Sequence, residues 1–473
     1  MQTTGSTSIL FFMFFFLTHL LAGGQEIGKP CKFVIVGAGP GGVYTAWRMS
    51  GNNGDNAFVG SDICVLEMLG RVGGRILSLR NQGPKGDLTV EMGAYRFPES
   101  PWYAYHGFFY APLTAALIMK SLKLPTAPYE PKTNCTMRKI VDDEGQNAGY
   151  AAFVEEMQRQ AEEKGVRFYF NTTVTSLGLE GYDILVRASD HNSNTSLIIK
   201  SQNVLLNLPM RPLTRLLFNS DPEVLQFGYP DVLSEVRPQS GIKLYVHYED
   251  AWWRNYLNLS IGMFTVNQTG PHDPPLFGRY HDGHTRIDNS TGMARGFLEA
   301  VYQLIDPVYD FYGPFQIREK EPYLKLVYNN PTARMLLDAI HRQLVKYHHD
   351  LLYKAGVLEK VKGMPPKLAL MSGWGEDSIG FGGGIHYTES GVNTGSLSLR
   401  ALQPVEGLPL YLANEAFGSL RQPDGTPGPE HGWAECSLVM AENVLTKFFG
   451  VQPPEWIDSA IYAKFVDLSV QQY

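Results

Sequence analysis

The chain has 473 residues, of which 44% are hydrophobic and 18% are charged, and its formal net charge is −7. This composition indicates a folded, soluble body of two or three domains, and the negative charge argues against nucleic acid as a partner. Four cysteines are too few for a disulfide scaffold at this length, and their spacing does not match a zinc site, so we predict no metal. We predict that Cys64 is a buried thiol and that any disulfide joins Cys31 to Cys135.

We assign the first 24 residues to export rather than to the fold. The apolar run from Ile9 to Leu17 is followed by small residues at 22–24, which are typical of a signal-peptide cleavage site. The run is shorter than the roughly 18–20 apolar residues that a membrane span requires. No Lys or Arg precedes the run, so an uncleaved anchor is the alternative. We favour a cleaved secretory signal, with no stable membrane insertion of the mature chain.

Six Asn-x-Ser/Thr triplets agree with this prediction of secretion. One triplet alone is weak support for glycosylation because such triplets also occur by chance, but six behind a signal segment predict some glycan occupancy. The triplets begin at Asn134, Asn171, Asn194, Asn258, Asn267 and Asn289.

A strand, a glycine-rich turn and a helix predict a dinucleotide-binding unit. The apolar run from Phe33 to Val36 indicates a buried strand. The predicted helix, 43–49, directs its N-terminus at the phosphates. A second apolar run, 63–66, ends in Glu67, whose carboxylate can accept hydrogen bonds from both hydroxyls of a ribose without a 2′-phosphate. The turn between the first strand and the helix has G-x-G-x-x-G spacing, and we assign to the cofactor Gly37, Ala38, Gly39, Pro40, Gly41 and Gly42.

The residues after Glu67 indicate which dinucleotide is bound. Arg71, Gly74 and Arg75 belong to a stretch that places two cations and two small residues beside the same phosphates. A basic surface turn is the alternative for this stretch. The full motif, E-x-x-x-R-x-G-G-R directly after such a unit, resembles the flavin-containing amine oxidase superfamily, which binds FAD.

This resemblance implies an α/β fold with two interwoven domains. A GxGxxG dinucleotide (FAD)-binding domain is expected from the discontinuous segments 30–75, 149–232 and 403–449. A mixed-sheet substrate-binding domain is expected from 76–148 and 233–402, followed by a C-terminal tail, 450–473. Monoamine oxidases carry a cysteine that links covalently to the flavin near the segment matching 374–382. This chain has no cysteine there, so we expect non-covalent FAD.

The stretch 91–98, E-M-G-A-x-R-F-P, suggests the substrate class. It resembles the branch of the superfamily that acts on amino acids, the L-amino-acid oxidases and tryptophan monooxygenase-like enzymes. There the arginine, here Arg96, pairs with the substrate carboxylate, because a planar guanidinium matches a carboxylate bidentately. Amine and polyamine oxidases lack this arginine. A surface arginine in a domain salt bridge is the alternative. The resemblance also places against the flavin Gly93, Ala94, Tyr95 and Arg96.

The chain departs from the animal L-amino-acid oxidases after Arg96. Those enzymes carry a long helical insert, whereas only 53 residues (149 − 96) separate Arg96 from Gly149 here. We interpret 102–141 as helix and loop. Because the insert helps to shape the substrate funnel and the dimer, the access path, the substrate range and the oligomeric state, including a homodimer, stay open.

The resemblance assigns three residues in the middle of the chain. The backbone of Val174 is expected to hold the adenine. Lys243, within the apolar strand 240–246, is expected to reach the flavin through an ordered water, with a pKa depressed by burial. It could then manage protons during the reaction with dioxygen; a strand-edge lysine in solvent is the alternative. Tyr302 is a candidate for assisting the carboxylate clamp, or else a core residue.

The last signature pairs 413–417 with 431–435 and looks like the A-G-E-x-x … H-G-W-x-x pair of the superfamily. Asn414 stands where glycine is usual. The helix that begins near Ala434 would direct its positive end at the flavin ring. Gly432 would bind the substrate amino group through its carbonyl, and Trp433 would form a wall or, alternatively, pack in the core. The resemblance assigns to the cofactor Glu415, Trp433, Ala434 and Glu435.

These residues together predict a secreted FAD-dependent oxidase, with Lys243 and Arg96 in assisting catalytic roles. The implied reaction is oxidative deamination of an L-amino acid to a 2-oxo acid, ammonia and hydrogen peroxide, with dioxygen as the acceptor. The alternatives are an amine or polyamine oxidase, a decarboxylating monooxygenase, and a secreted flavoprotein that has lost turnover.

Overall fold

The computed structural model describes residues 25–26, 30–51, 58–104, 107–129, 136–225, 231–268, 270–281, 284–304, 306–315, 322–375, 382–428 and 431–469. The expected signal segment 1–24 lies outside the described residues, as do Asn134 and Cys135. None of the helices within these ranges combines the length and the apolar character that crossing a bilayer requires.

A five-stranded parallel sheet forms the first half of the molecule. Its strands, in spatial order, are Arg167–Tyr169, Ile63–Leu66, Phe33–Val36, Asn203–Leu206 and Leu410–Leu412. The strands Phe33–Val36 and Ile63–Leu66 are buried at every residue, as expected where helices cover both faces of a parallel sheet. All three segments that the sequence assigns to the FAD-binding domain contribute strands to this one sheet.

Three helices pack around the glycine-rich turn of this sheet. Pro40–Ser50 contacts both Ala152–Glu163 and Ala434–Phe449. Glu442 is fully buried, accepts a hydrogen bond of 2.7 Å from the Tyr44 hydroxyl, and forms an ion pair with Arg48 at 3.0 Å. These contacts join the helix Pro40–Ser50 to the helix Ala434–Phe449, although almost 400 residues separate the paired side chains.

An antiparallel meander extends the nucleotide half. It consists of Thr172–Glu180, Asp183–Asp190 and Thr195–Ser201, and Gln25–Glu26 pairs in parallel with the last of these strands. Buried residues alternate along Asp183–Asp190, which indicates that one face of the meander packs on the body while the other faces solvent.

A seven-stranded sheet forms the second half of the molecule. Six of its strands lie in the order Gly262–Val266, Leu276–Tyr280, Ala294–Gln303, Gly241–Tyr248, Leu368–Trp374 and Tyr323–Val327, and Thr285–Ile287 also pairs with Ala294–Gln303. Every described pair is antiparallel, whereas the sequence suggested a mixed sheet. Antiparallel neighbours can be joined by short reversals, and this sheet uses them where parallel strands would require crossovers.

Small sheets connect the two halves. They comprise Ser78–Gln82 with Leu88–Glu91, Trp102–Ala104 with Gly107–Phe109, Val236–Gln239 with Ile385–Thr388, and Phe97–Pro98 and Thr126–Pro128 on either side of Met137–Ile140. The interpretation of 102–141 as helix and loop is therefore incomplete. Among the described residues of this stretch, 102–104, 107–129 and 136–141, the helical segments are Pro112–Ala116 and a π-helical turn, Leu117–Ser121. The strands are too short to show an alternating pattern.

The other helices cover the edges of the sheets. They are Met210–Phe218, Pro222–Leu225, Trp252–Asn255, Asp306–Tyr312, Pro331–Tyr347, His349–Lys354, Leu358–Lys362, Thr394–Ala401 and Ser459–Phe465, with 3₁₀ turns at Gly60–Asp62, Asp231–Leu233 and Gly313–Phe315. The expected C-terminal tail contains the last of these helices. The Asn443 side chain joins it to the body by accepting from the Leu468 amide and donating to the Val466 carbonyl, each at 2.8 Å.

One disulfide joins Cys31 to Cys64, so both cysteine predictions are wrong. Cys64 is oxidised rather than a free thiol, and Cys31 pairs with it rather than with Cys135. The two residues lie on neighbouring parallel strands, which bring their Cα atoms to 5.8 Å, within the range that a disulfide spans. Among the described cysteines, Cys436 is buried and takes no part in a disulfide.

Candidate functional site

A cavity of about 920 Å³ is lined by residues of both large sheets. Its volume lies at the upper end of the range of small-molecule and cofactor sites. We call one part the nucleotide end, lined by Gly37, Gly39, Pro40, Glu67 and the neighbourhood of Val174. We call the other part the substrate end, lined by Tyr95, Arg96, Lys243, Arg279, Tyr302, Phe109, Gly432 and Trp433.

The glycine-rich turn has the geometry of a phosphate cradle. Gly37 has a φ of +95°, and a Cβ there would lie 2.7 Å from the Asn207 carbonyl oxygen. A Cβ on Gly42 would overlap the Gly37 carbonyl, so the third glycine permits the helix to pack closely on the strand. The helix begins after Gly39 without a side-chain cap, and its N-terminal end, at Gly39 and Pro40, lines the cavity.

Ala38, Gly41 and Gly42 are not among the residues that line the cavity. The Ala38 amide donates to the Glu67 carboxylate at 2.7 Å, and a Cβ on Gly41 would meet the Ala413 carbonyl and the Ser437 hydroxyl. These three residues shape the turn by close packing and do not face the cavity.

Glu67 is at the carboxyl end of the strand Ile63–Leu66, as the sequence predicted, and lines the cavity. Its carboxylate is buried and accepts from the amides of Ala38 at 2.7 Å and Leu69 at 2.9 Å. Val174 lines the same end, next to His191 and Asn171. The nucleotide end thus holds a fixed carboxylate next to a strand backbone, since the Thr172 amide donates to the Glu67 carbonyl at 2.8 Å.

Glu415 lies at the junction between the two ends and fixes several groups at once. It contacts the Arg75 guanidinium, His386 Nδ1 at 2.6 Å and the Gly432 amide at 2.9 Å. Burial alone would raise the pKa of this carboxyl, but the charges of Arg75 and His386 hold the pKa well below its usual range. His386 was not predicted from the sequence, because it lies on a strand without a motif.

Gly74 and Arg75 line the cavity, whereas Arg71 is not among its lining residues. Arg71 Nη1 donates to the carbonyls of Val72 at 3.2 Å and Gly74 at 3.0 Å. Arg71 therefore shapes the loop that carries Gly74, and its assignment to the cofactor stays a prediction.

A second uncapped helix N-terminus faces the cavity at Trp433 and Ala434. Glu435, one residue further, was also assigned to the cofactor, but it does not line the cavity. Its buried carboxylate accepts from the amides of Leu113 at 3.0 Å and Thr114 at 2.7 Å, and burial raises its pKa to about 7. The direction of Glu435 follows from the helical rotation of 100° per residue, which turns it away from the cavity that Ala434 lines.

Lys243 lies at the centre of the substrate end and is almost fully buried. Its ammonium donates to the carbonyls of Gly93 at 2.7 Å and Glu91 at 3.3 Å, and the ring centroid of Tyr95 is 3.9 Å away. Burial lowers the pKa of Lys243 to about 8. The depressed pKa predicted from the sequence is confirmed, and the alternative of a solvent-exposed lysine is excluded.

Arg96 and Tyr302 also reach the substrate end. The Arg96 guanidinium lies 5.0 Å from the ring centroid of Tyr95 and 5.3 Å from that of Tyr129. Tyr302 packs edge-on against Tyr95 at 5.9 Å and is 4.7 Å from the Lys243 ammonium. Both Arg96 and Tyr302 line the cavity together with Gly93 and Ala94.

Two charged residues of this end were missed by the sequence analysis, Arg279 and Glu299. Arg279 lines the cavity with its guanidinium 4.9 Å from the ring centroid of Tyr302. Glu299 is buried behind Lys243, at 3.8 Å from its ammonium, and accepts a hydrogen bond of 2.6 Å from Tyr245. The sequence could have indicated Glu299, because a carboxylate within the apolar run 297–301 is expected to be buried and therefore to require a partner.

The residues at the nucleotide end fit FAD. A glycine cradle that a Cβ would fill, an uncapped helix N-terminus and a fixed carboxylate after the second strand are the groups that a pyrophosphate and a ribose require. Within the described ranges, no three His, Cys, Asp or Glu side chains are grouped so that they could hold a metal ion.

Comparisons with known proteins agree with this geometry. Residues 35–109 match the NAD(P)-binding Rossmann-like domain. No curated protein sequence matches the chain. Wild-type putrescine oxidase bound to putrescine superposes with a TM-score of 0.53 at 13% identity, covering 90% of this chain and 100% of that chain. A triple mutant from a redesign of cofactor binding in the same enzyme gives a TM-score of 0.51 at 14% identity, with the same coverage.

These likenesses show the fold. The predicted α/β class, with a Rossmann-like FAD-binding domain and a separate sheet domain, is confirmed, and it is the architecture of putrescine oxidase. The domain boundaries and the roles of the individual site residues stay predictions.

Proposed function

We propose that the protein is an FAD-dependent oxidase of an L-amino acid that produces a 2-oxo acid, ammonia and hydrogen peroxide. The observation that carries the proposal is the charge of the substrate end. Three cationic side chains meet there, those of Arg96, Lys243 and Arg279. Among the described residues that line the cavity, the carboxylates are Glu67 and Glu415, and neither is at the substrate end.

A cationic substrate end selects for a substrate with a carboxylate. Unit charges about 4–5 Å apart near a protein surface interact with roughly 3–4 kcal/mol, attractive for a carboxylate and repulsive for an ammonium. The substrate end therefore favours an amino acid over the corresponding amine, which would bring only positive charge to the two guanidinium groups.

The residues of the chain have separate roles in this proposal. Arg96 binds the α-carboxylate bidentately, which fixes the Cα–H bond relative to the cofactor. Tyr302 and Trp433 flank the substrate, and the Gly432 carbonyl accepts from its amino group. When bound, FAD supplies the oxidation by accepting a hydride and passing the electrons to dioxygen. Lys243, with a pKa near 8, can hold or release a proton at its ammonium close to neutral pH.

The competing function is oxidation of an amine without a carboxylate. It has support in the fold, because the similar structure of putrescine oxidase is bound to putrescine. A flavoprotein without turnover is the second competitor. The positive charge of the substrate end argues against a diamine substrate. It does not distinguish an active oxidase from a flavoprotein without turnover, and the experiment below does.

The test is peroxide release by the purified protein with L-amino acids and with the amines formed by their decarboxylation. Each pair shares a side chain and differs only in the α-carboxylate. Peroxide and flavin bleaching with the acids alone would support the proposal. Turnover of the amines alone would overturn the proposal. If neither the amino acids nor the amines reduce the bound flavin, the protein is non-catalytic.

We further propose that the chain is exported and that FAD is bound without a covalent link. Four of the sequon asparagines, Asn194, Asn258, Asn267 and Asn289, are exposed. Asn171 lines the nucleotide end, where a glycan would obstruct the cavity. Expression in a secreting eukaryotic cell should give a product that begins after residue 24, with glycans at exposed sequons and none at Asn171. Acid precipitation should leave the flavin in the supernatant.

A further inference from the structure

Arg279 carries a charge at the substrate end that the proposed reaction does not use. It lies on the strand Leu276–Tyr280, is largely shielded from solvent and lines the cavity with its guanidinium over the Tyr302 ring. It forms no hydrogen bond or ion pair within the part of the chain that the structure describes. Arginine stays protonated in proteins, so this positive charge is permanent.

Glu299 does not neutralise Arg279 by direct contact. The two residues are register partners on neighbouring antiparallel strands, so their side chains share one face of the sheet. The Glu299 carboxylate is nevertheless engaged elsewhere, by the Tyr245 hydroxyl at 2.6 Å, Lys243 at 3.8 Å and His281 at 3.3 Å. Its one negative charge is thus shared inside the protein, whereas Arg279 faces the cavity.

The two guanidinium groups of the substrate end are neighbours but occupy separate places. Arg96 lies over the Tyr95 ring, Arg279 lies over the Tyr302 ring, and the centroids of these two rings are 5.9 Å apart. One carboxylate that is bound bidentately satisfies one guanidinium. A substrate with only an α-carboxylate would therefore leave the second guanidinium desolvated and unpaired, which is costly.

We propose that Arg279 binds a carboxylate in the side chain of the substrate, so that the preferred substrates are dicarboxylic L-amino acids of the aspartate and glutamate class. This inference rests on the proposed function. A neutral side chain leaves Arg279 without an anion, and a basic side chain adds a fourth cation to those of Arg96, Lys243 and Arg279. A side-chain carboxylate is the group that completes the charge balance of the substrate end.

The kinetic test compares acidic amino acids with their neutral isosteres, L-glutamate with L-glutamine and L-aspartate with L-asparagine. The wild-type protein should favour each acid in kcat/KM. Arg279→Met should lower kcat/KM for the acids about 100-fold, which is at least about tenfold more than it lowers kcat/KM for the amides, because only the acids lose a buried charge pair. Arg279→Lys should restore part of the preference.

Arg334→Met provides the matched control. Arg334 also stacks on a tyrosine ring, with its guanidinium 5.9 Å from the Tyr328 centroid, but it is exposed on the helix Pro331–Tyr347 outside the cavity. This variant should behave as wild type. Equal loss of acids and amides in Arg279→Met, or a wild-type preference for the amides, would overturn the inference.

A binding measurement separates failure of this inference from failure of the proposed function. Glutarate has two carboxylates but no amino group to oxidise, and butyrate has one carboxylate. Glutarate should raise the Tm of the wild-type protein more than butyrate does, and Arg279→Met should remove the difference. If no amino acid is oxidised but glutarate still raises the Tm more than butyrate, the oxidase proposal fails and the dicarboxylate site stands. Equal Tm shifts with glutarate and butyrate would overturn the dicarboxylate site.

Discussion

The two ends of the cavity are built in different ways. The nucleotide end is made largely of backbone groups and of residues close together in the chain, from the glycine turn at 37–42 to Glu67 and Arg75. The substrate end is made of side chains far apart in sequence: Arg96 lies in a loop, and strands of the seven-stranded sheet carry Lys243, Arg279 and Tyr302. Local geometry secures the first end, whereas the register of an antiparallel sheet secures the second.

This difference has a consequence for charge. At the nucleotide end the buried carboxylates already have donors within the protein, as the contacts of Glu67 and Glu415 show. At the substrate end Lys243 is matched by Glu299 and two carbonyls, while Arg279 has no anion. The buried carboxylates of the first end are thus paired within the protein, whereas the Arg279 guanidinium of the second end faces the cavity without an ion-pair partner among the described residues.

The largest effect is expected from Gly37→Val at the nucleotide end. A side chain at a φ of +95° costs about 1–3 kcal/mol in strain, and its Cβ would also meet the Asn207 carbonyl oxygen at 2.7 Å. The purified variant should retain little or no flavin, as measured by absorbance near 450 nm.

Gly145→Val is the control for this change. Gly145 has a similar φ of +75° but no heavy atom within 4 Å of the added Cβ. It should keep its flavin and lose stability only. Flavin retention by Gly37→Val would contradict the assignment of the glycine turn.

Arg96→Ala should have the next largest effect, and it acts on the substrate end alone. Loss of a bidentate, charge-assisted pair of about 3–4 kcal/mol corresponds to a decrease in kcat/KM of roughly 10²–10³-fold for amino acids. Flavin content should be unchanged. Arg96→Lys keeps the charge but not the planar guanidinium, so its kcat/KM should lie between those of the wild type and Arg96→Ala. An unchanged KM in Arg96→Ala would show that Arg96 does not bind the carboxylate.

Lys243→Met should slow turnover about 100-fold, the usual contribution of a positioned proton-transfer group. Because burial lowers the pKa of Lys243 to about 8, the neutral amine forms as the pH rises through this value, and the activity that depends on the neutral amine should rise with it. The variant should lack this limb of the pH profile. Lys325 is an exposed lysine on the strand Tyr323–Val327 of the same sheet, and the control variant Lys325→Met should keep the rise in activity with pH. If the rise persists in Lys243→Met, it is due to another titrating group.

The smallest effect on chemistry is expected from removing the disulfide with Cys31→Ser and Cys64→Ser together. The bond closes a loop across a sequence separation of 33, so its loss should cost about 2–4 kcal/mol of unfolding free energy. The Tm should fall, while kcat at room temperature should stay within about twofold of wild type. A reductant should lower the Tm of the wild-type protein and leave that of the double variant unchanged; equal sensitivity would show that the bond does not form.

The sequence by itself determined the nucleotide end and the fold class. A strand, three spaced glycines, a helix and an acid after the next strand act over short distances, where backbone geometry permits few alternatives. The sequence also indicated Arg96, Lys243 and Glu415, because each stands within a motif. It did not indicate the direction of Glu435, since one residue of helical rotation decides whether a side chain faces the cavity or the interior.

Only the tertiary structure decided which distant residues meet. Cys31 pairs with Cys64 because the order of the parallel sheet makes their strands neighbours, and no spacing rule for cysteine expresses that order. Arg279 lies opposite Glu299 because an antiparallel register aligns two strands that carry no motif. Charge at the substrate end is therefore a property of strand pairing, which is set by long-range contacts and not by the local pattern of any one segment.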